Sequence, residues 1–309
     1  MSKNKMATRE AYGATLAELA AKNPNILVLD ADLSGSTKSG DVKKNNPKQH
    51  FNMGIAEGNM MSVAAGMAAS GNIVFASSFA MFATGRAYEQ IRNSIGYPQL
   101  NVKICASHAG LTVGEDGASH QCIEDMSLMR GIPGMCVICP ADGVAAAKAI
   151  RAVTEHEGPC YVRLGRSKVE IVYDETLEFE IGKGNVLREG KGVAIVACGI
   201  MVEKALVACE MLAEKGIQAT VVDMHTIKPI DKDLLVKLAE THELFITCEE
   251  HTVVGGLGSA VAECLSANAP RKVKMIGVQD VFGESGTPDE LLAKYHLTAE
   301  DIFNAAIEG

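Results

Sequence analysis

The stretch from His108 to Gln121, HAGLTVGEDGASHQ, gathers two imidazoles and two carboxylates: His108, Glu115, Asp116 and His120. An unperturbed histidine titrates near pH ~6.5, so His120 could give or take a proton at neutral pH. The stretch follows a mostly apolar run, Val102 to Ala106, which reads as a buried strand. Glycines at 110, 114 and 117 let the backbone turn sharply and approach a ligand closely. Loops at the carboxyl ends of parallel strands are where open α/β sheets place their ligands. A polar surface turn would use the same residue types, so the rest of the chain has to decide between the two readings.

Glu57 is the second feature with chemistry in it. It opens a stretch that carries no charge until Arg86 and is mostly Ala, Gly, Ser and Met. Desolvation there would raise the carboxyl pKa, whereas a helix N-terminus would favour the anion. Phe79 and Phe82 lie three apart, on one face of an expected helix, as core aromatics also do. In the second half, Cys248-Glu249-Glu250-His251 precedes Gly255-Gly256-Leu257-Gly258, a glycine turn opening a helix. Such a turn can bind an anion, but tight strand-to-helix packing is the preferred reading, because a lone glycine-rich turn is weak evidence. No catalysis is expected from that half.

Composition narrows the class. A chain of 309 residues suggests about two domains, and 47% hydrophobic with 22% charged residues is ordinary for a globular protein. A net charge of −9, no Trp and few aromatics argue against a nucleic-acid partner. Nine cysteines without metal spacing read as free thiols of a reducing compartment. Cys136 and Cys139 fall three apart in an apolar run, on opposite faces of a strand. The opening MSKNKMATRE has no apolar core of a signal peptide, so a cytoplasmic protein is expected. The uncharged stretch after Glu57 is broken at Ser70-Gly71-Asn72 into a buried helix and strand, not a membrane span.

The elements that must position these residues alternate between strand and helix. The first helix is expected over Thr8 to Lys22 with Thr8 as its cap, followed by a strand at Ile26 to Leu29. Ser34 to Gln49 reads as an irregular loop, Gly54 to Ala69 as a helix, Ile73 to Ala76 as a strand and Phe79 to Ile95 as one helix. After the histidine loop come a helix (Ile123 to Arg130), a strand (Met135 to Cys139), a helix (Asp142 to His156) and Cys160 to Leu164, closing the first sheet. Arg166 to Gly184 is charged and aperiodic, and the linker, 171–184, is placed there. Strands at Val193–Ala197, Ala219–Met224, Leu244–Cys248 and Val273–Val278 then build a second unit, with an acidic helix start at Thr298 to Asp301. This is an α/β protein with two three-layer domains and mostly parallel sheets, 1–170 and 185–309.

GEDGASHQ resembles the G-E-D-G-x-T/S-H-Q loop of transketolases, which use thiamine diphosphate. The resemblance runs nearly end to end, but only to the carboxyl-terminal half of a full-length transketolase. It is therefore similar to split transketolases, in which this half is a separate subunit. The resemblance implies a pyrimidine-binding domain followed by a transketolase C-terminal domain. It implies transfer of a two-carbon ketol unit from a ketose phosphate to an aldose phosphate.

Residue by residue, Gly54-Ile55-Ala56-Glu57-Gly58-Asn59-Met60 resembles the family's glutamate motif, so Glu57 would serve the pyrimidine ring nitrogen. Phe79 and Phe82 resemble the aromatics packing against the pyrimidine, and Asp32 an acidic residue beside the cofactor. Arg9, Arg166, His108 and Ser36 resemble contacts to the sugar phosphate. Asp116 and His120 resemble the pair that recognises donor hydroxyls, with His120 also able to move a proton, and Glu115 is left for a subunit interface. Arg86 and Tyr88 receive no role. Ala109, Ala118 and Ser119 stand where the family usually has Asp, Pro and Thr, which leaves the acceptor range open.

The G-D-G motif with which the family holds magnesium and the cofactor diphosphate does not occur here. The resemblance thus implies a partner chain, an N-terminal subunit carrying that motif, in an assembly of two copies of each chain (α2β2). Two other classes remain open at this stage. One is a subunit of another thiamine enzyme, like deoxyxylulose-phosphate synthase or the beta subunit of 2-oxo-acid dehydrogenases. The other is a non-catalytic α/β regulatory subunit.

Overall fold

The computed structural model describes residues 5–308. The first four residues, part of the opening read as lacking a signal peptide, lie outside that range. The first unit contains strands β1 (Lys5–Ala7), β2 (Ile26–Asp30), β3 (His50–Asn52), β4 (Ile73–Ser77), β5 (Val102–Ala106), β6 (Cys136–Ile138), β7 (Cys160–Arg163) and β8 (Lys168–Glu170). The second contains β9 (Asn185–Arg188), β10 (Gly192–Ala197), β11 (Thr220–Asp223), β12 (Thr226–Lys228), β13 (His242–Thr252) and β14 (Lys272–Val278). The larger helices are α1 (Thr8–Lys22), α2 (Glu57–Ala69), α3 (Asp125–Arg130), α4 (Gly143–Glu155), α5 (Met201–Glu214), α6 (Lys232–Ala239), α7 (Leu257–Asn268), α8 (Pro288–Lys294) and α9 (Ala299–Ile307).

Two mostly parallel sheets result, in the orders β12-β6-β7-β5-β4-β2-β3 and β14-β13-β10-β11-β9. The two-domain α/β class expected from the alternating elements is the one observed. β7 does not close the first sheet, however. It lies inside, between β6 and β5, and the edge strand is β12, contributed from beyond the linker. Thr226 pairs with Ile138 and Lys228 with Val137, while the Lys228 ammonium donates to the carbonyls of Arg130 and Ile132. Covering a sheet edge removes unpaired backbone groups, and here the second half of the chain does so.

Three local expectations are corrected. Ser34 to Gln49 is not irregular: it holds short helices at Ser34–Thr37, Asp41–Asn45 and Pro47–Gln49, with Val42 fully buried as their anchor. Thr8 is the first residue of α1 and not its cap. Ala7 occupies the cap position because β1 pairs with β8 and holds it extended, so the Thr8 hydroxyl accepts from the Gly165 N–H instead. Phe79 to Ile95 is not one regular helix but two π-helical turns, Met81–Arg86 and Ile91–Gly96, around the short helix Tyr88–Gln90. The Met81 methyl lies over Gly85, where an added Cβ would stand 2.1 Å from the Met81 Cε and displace that flexible end.

The acidic helix start at Thr298 to Asp301 is observed as a capping box on α9. Asp142 and Asp231, for which no cap was expected, cap α4 and α6 through side-chain bonds to Ala145 and Leu234. Cys136 and Cys139 fall in different buried clusters, on opposite sides of the sheet, and every cysteine among the described residues is free. No helix among them is long and apolar enough to cross a membrane.

Candidate functional site

Parallel strands place all their carboxyl ends on one edge of the first sheet, and the candidate residues lie just beyond them. Asp32 and Ser36 follow β2, Glu57 follows β3, Phe79 follows β4, His108 follows β5 and Arg166 follows β7. Arg9 joins them from the start of α1, which runs back along the sheet before β2.

Glu57 begins α2 and is 1% exposed. Its setting is not uncharged, as the sequence suggested, because Arg86 donates to its carboxylate at 2.9 Å. The Arg86 guanidinium also stands 4.9 Å over the Phe82 ring. Phe79 and Phe82 stack at 5.9 Å, and the His120 ring meets both edge-on, at 6.4 and 5.4 Å. His108 stacks on Phe79 at 3.7 Å. Carboxylate, phenyl rings and both histidines therefore form one continuous surface.

The histidine loop turns where the glycines predicted: Gly110, Gly114 and Gly117 all have φ between +73° and +85°. His108 itself sits at φ +59°, a conformation uncommon for a residue with a side chain. Its Nδ1 pairs with the Ser107 hydroxyl at 2.8 Å. Burial pushes the imidazole down to about 3, and the charges of Arg9, Arg166 and His120 add to that effect. The ring is therefore a neutral hydrogen-bonding group at physiological pH.

The cationic side chains are held by the loops they would serve. Arg9 donates to the Ser36 carbonyl at 2.6 Å, so Ser36 meets the candidate phosphate arginine through its backbone. Arg166 donates to the Val113 carbonyl and pairs with Glu115 at 3.2 Å, with Asp116 at 4.0 Å. Glu115, left for an interface, is thus an ion-pair partner of the candidate phosphate arginine. Asp32 adopts φ +62° and accepts from the Asn52 amide at 2.9 Å. His120 keeps an exposed contact with the Ser119 hydroxyl at 3.0 Å.

Sequence reasoning missed three contributors. Arg86 was passed over, although it follows Phe82 by one turn. Gln121 donates to the carbonyls of Leu111 and Glu284 at 3.1 and 2.9 Å, and its buried Oε1 has no partner among the described residues. Phe282 and Gly283 of the second domain line, with Phe82, Arg86 and Ser119, a cavity of about 400 Å³ beside the aromatic surface. The glycines of the 283–286 turn were the available signal. The glycine turn at 255–258 does receive an anion, but it is the chain's own Glu249, which accepts from the N–H groups of Leu257 and Gly258 at 2.7 Å each. Burial pushes that carboxyl up to about 7 against the pull of those two bonds.

Residues 4–171 match the family model of the transketolase pyrimidine-binding domain, and residues 182–302 that of the transketolase C-terminal domain. The transketolase C-terminal section of Methanocaldococcus jannaschii is 51% identical over 303 residues, covering 97% of this chain and 95% of that protein. A 6-deoxy-6-sulfo-D-fructose transketolase subunit from a Clostridium strain is 43% identical over 300 residues, covering 97% and 93%. A solved structure titled as a split gene transketolase, inactive beta4 tetramer, superposes with a TM-score of 0.92 at 56% identity, covering 98% of both chains. The chain belongs to the transketolase family. Against full-length transketolases it spans about half their length. Within the family it is the C-terminal subunit of a split transketolase.

Proposed function

We propose that this subunit provides the pyrimidine side and the donor-sugar side of a thiamine-diphosphate site, and that an N-terminal partner chain carrying a G-D-G motif provides the diphosphate side. The residues present fit an aminopyrimidine: a carboxylate 1% exposed at a helix start, beside two stacked phenyl rings. Glu57 would hold a proton at the pyrimidine ring nitrogen, Phe79 and Phe82 would pack against the ring, and Asp32 would flank it. When bound, the cofactor supplies the nucleophilic carbon that accepts the two-carbon ketol unit of a ketose phosphate and passes it to an aldose phosphate.

On the sugar side, Arg9, Arg166, His108 and Ser36 would take the phosphate, where charge-assisted and bidentate bonds are strongest. Asp116 and His120 would address the donor hydroxyls, and His120 would give or take the proton at the ketose oxygen. The observation that carries this reading is the continuity of Glu57, Phe79, Phe82 and His120 along one sheet edge. Magnesium would be held mainly by the partner chain, in an α2β2 heterotetramer working in the cytoplasm. A relative of this length forms a homotetramer described as inactive, which favours a need for the second chain.

The test is ketol transfer from xylulose 5-phosphate to ribose 5-phosphate with thiamine diphosphate and magnesium, by this chain alone and with the G-D-G chain. Activity only in the mixture is expected, and Glu57→Gln should lower it about 10²–10⁴-fold. The Clostridium relative is named for a sulfonated sugar, so the donor panel should include 6-deoxy-6-sulfo-fructose. Unchanged turnover in Glu57→Gln would instead mark a regulatory subunit.

A further inference from the structure

The second domain reaches the histidine loop with a buried carboxylate. Glu250, on β13, is 4% exposed and accepts from the Thr112 backbone N–H at 2.6 Å. Its own carbonyl accepts from Arg163 of β7 at 2.8 Å, and the same arginine donates to Asp125 at 2.8 Å, so both domains fix its place. The turn at Gly110 closes onto this carboxylate: a Cβ there would stand 2.3 Å from the Glu250 Cδ. The neighbouring carbonyls are held from the first domain, Thr112 by the Ser167 hydroxyl at 3.0 Å and Val113 by Arg166. Burial pushes the Glu250 carboxyl up, while Arg163 and the Thr112 bonds pull it down. His108 precedes this turn, and Asp116 and His120 follow it.

We infer that Glu250 is a positioning residue for the donor: it fixes the Gly110–Thr112 turn so that His108 on one side and Asp116 and His120 on the other address one phosphorylated ketose. This rests on the function proposed above for those three residues. Glu57, Phe79 and Phe82 arrive from the ends of β3 and β4 and not from this turn. Losing Glu250 therefore acts first on the donor and reaches the cofactor side only through the stacking of His108 on Phe79. The carboxyl-terminal domain thereby takes part in substrate recognition without touching substrate.

Glu250→Ala and Glu250→Gln decide the matter, since a Gln oxygen can still accept from Thr112. Amide hydrogen exchange is followed in the chain alone, and donor KM and thiamine diphosphate affinity in the two-chain complex. In the Ala variant, exchange at Thr112 and donor KM should each rise about tenfold, the size expected for losing a hydrogen bond to a charged group. Cofactor affinity should change by less than about threefold, and Gln should restore exchange and donor KM to within about threefold. Unchanged exchange and KM in Ala would overturn the inference, as would a Gln variant as impaired as Ala. A joint loss of donor binding, cofactor binding and melting temperature would also overturn it, marking a general role in folding. Should the wild-type complex show no ketol transfer, the functional reading fails, and the positioning of the donor falls with it.

Discussion

Arg86 and Glu57 form a 2.9 Å ion pair in which the carboxylate is buried and the guanidinium half exposed, lying over Phe82. One cation thus links the acid at the start of α2 to the aromatic wall. Arg86→Met would leave the carboxylate buried without a counter-charge. Because solvent screens the exposed partner, the expected loss is about 1 kcal/mol by urea denaturation of this chain. Adding Glu57→Gln should recover most of it, and strict additivity of the two changes would show that the pair carries no coupling.

The phosphate arginines predict a substrate-dependent defect. Arg9→Ala or Arg166→Ala in the two-chain complex should raise KM for phosphorylated donors by about 10–100-fold. For a non-phosphorylated ketose the change should be small. Arg166→Lys should lie between, because an ammonium keeps the charge but loses the fork. Equal losses on both kinds of donor would place Arg166 in loop architecture, through its bond to Val113, and not in phosphate recognition.

His108 sets a pH dependence whose sign follows from its lowered pKa. The unfolded chain takes up the proton near pH ~6.5, while the folded chain resists it to about 3. The stabilising contribution is therefore complete above about 6.5 and lost progressively on acidification, by at most about 1.4 kcal/mol per pH unit. His108→Asn should flatten the fall in urea-unfolding free energy between about pH 6.5 and 4 relative to the parent chain. Parallel curves for the two proteins would contradict the assignment.

Asp142 ties the fourth large helix to the start of the linker. One carboxylate oxygen caps the helix through Ala145 at 2.8 Å, and the other accepts from the backbone of Val172 and Tyr173 at 2.6 and 2.9 Å. Asp142→Ala should cost about 2–4 kcal/mol in chemical denaturation, from the lost cap and two stranded N–H groups. Asp142→Asn keeps one accepting oxygen and should cost roughly half as much. An unchanged unfolding midpoint in the Ala variant would show that water replaces the carboxylate.

Much of this protein was legible as sequence because its signals are local. The span of the first helix, the strand before the histidine loop and the acidic start of the last helix at Thr298 depend on residues within a few positions of one another. The positive φ values at Gly110, Gly114 and Gly117 follow from the one residue type that adopts them freely. What stayed hidden depends on pairs far apart in the chain or on hydrogen-bond patterns without a sequence period. The π turns at Met81–Arg86 and Ile91–Gly96 were not legible, since no periodicity of apolar residues announces an i→i+5 bond. Thr226–Lys228 carries no strand signal of its own and becomes a strand only by pairing with β6 of the first sheet. Arg86 reaches Glu57 across 29 positions, and Glu250 reaches Thr112 across 138. Residue types showed which groups could act; the burial and backbone geometry of the folded chain settled which of them meet.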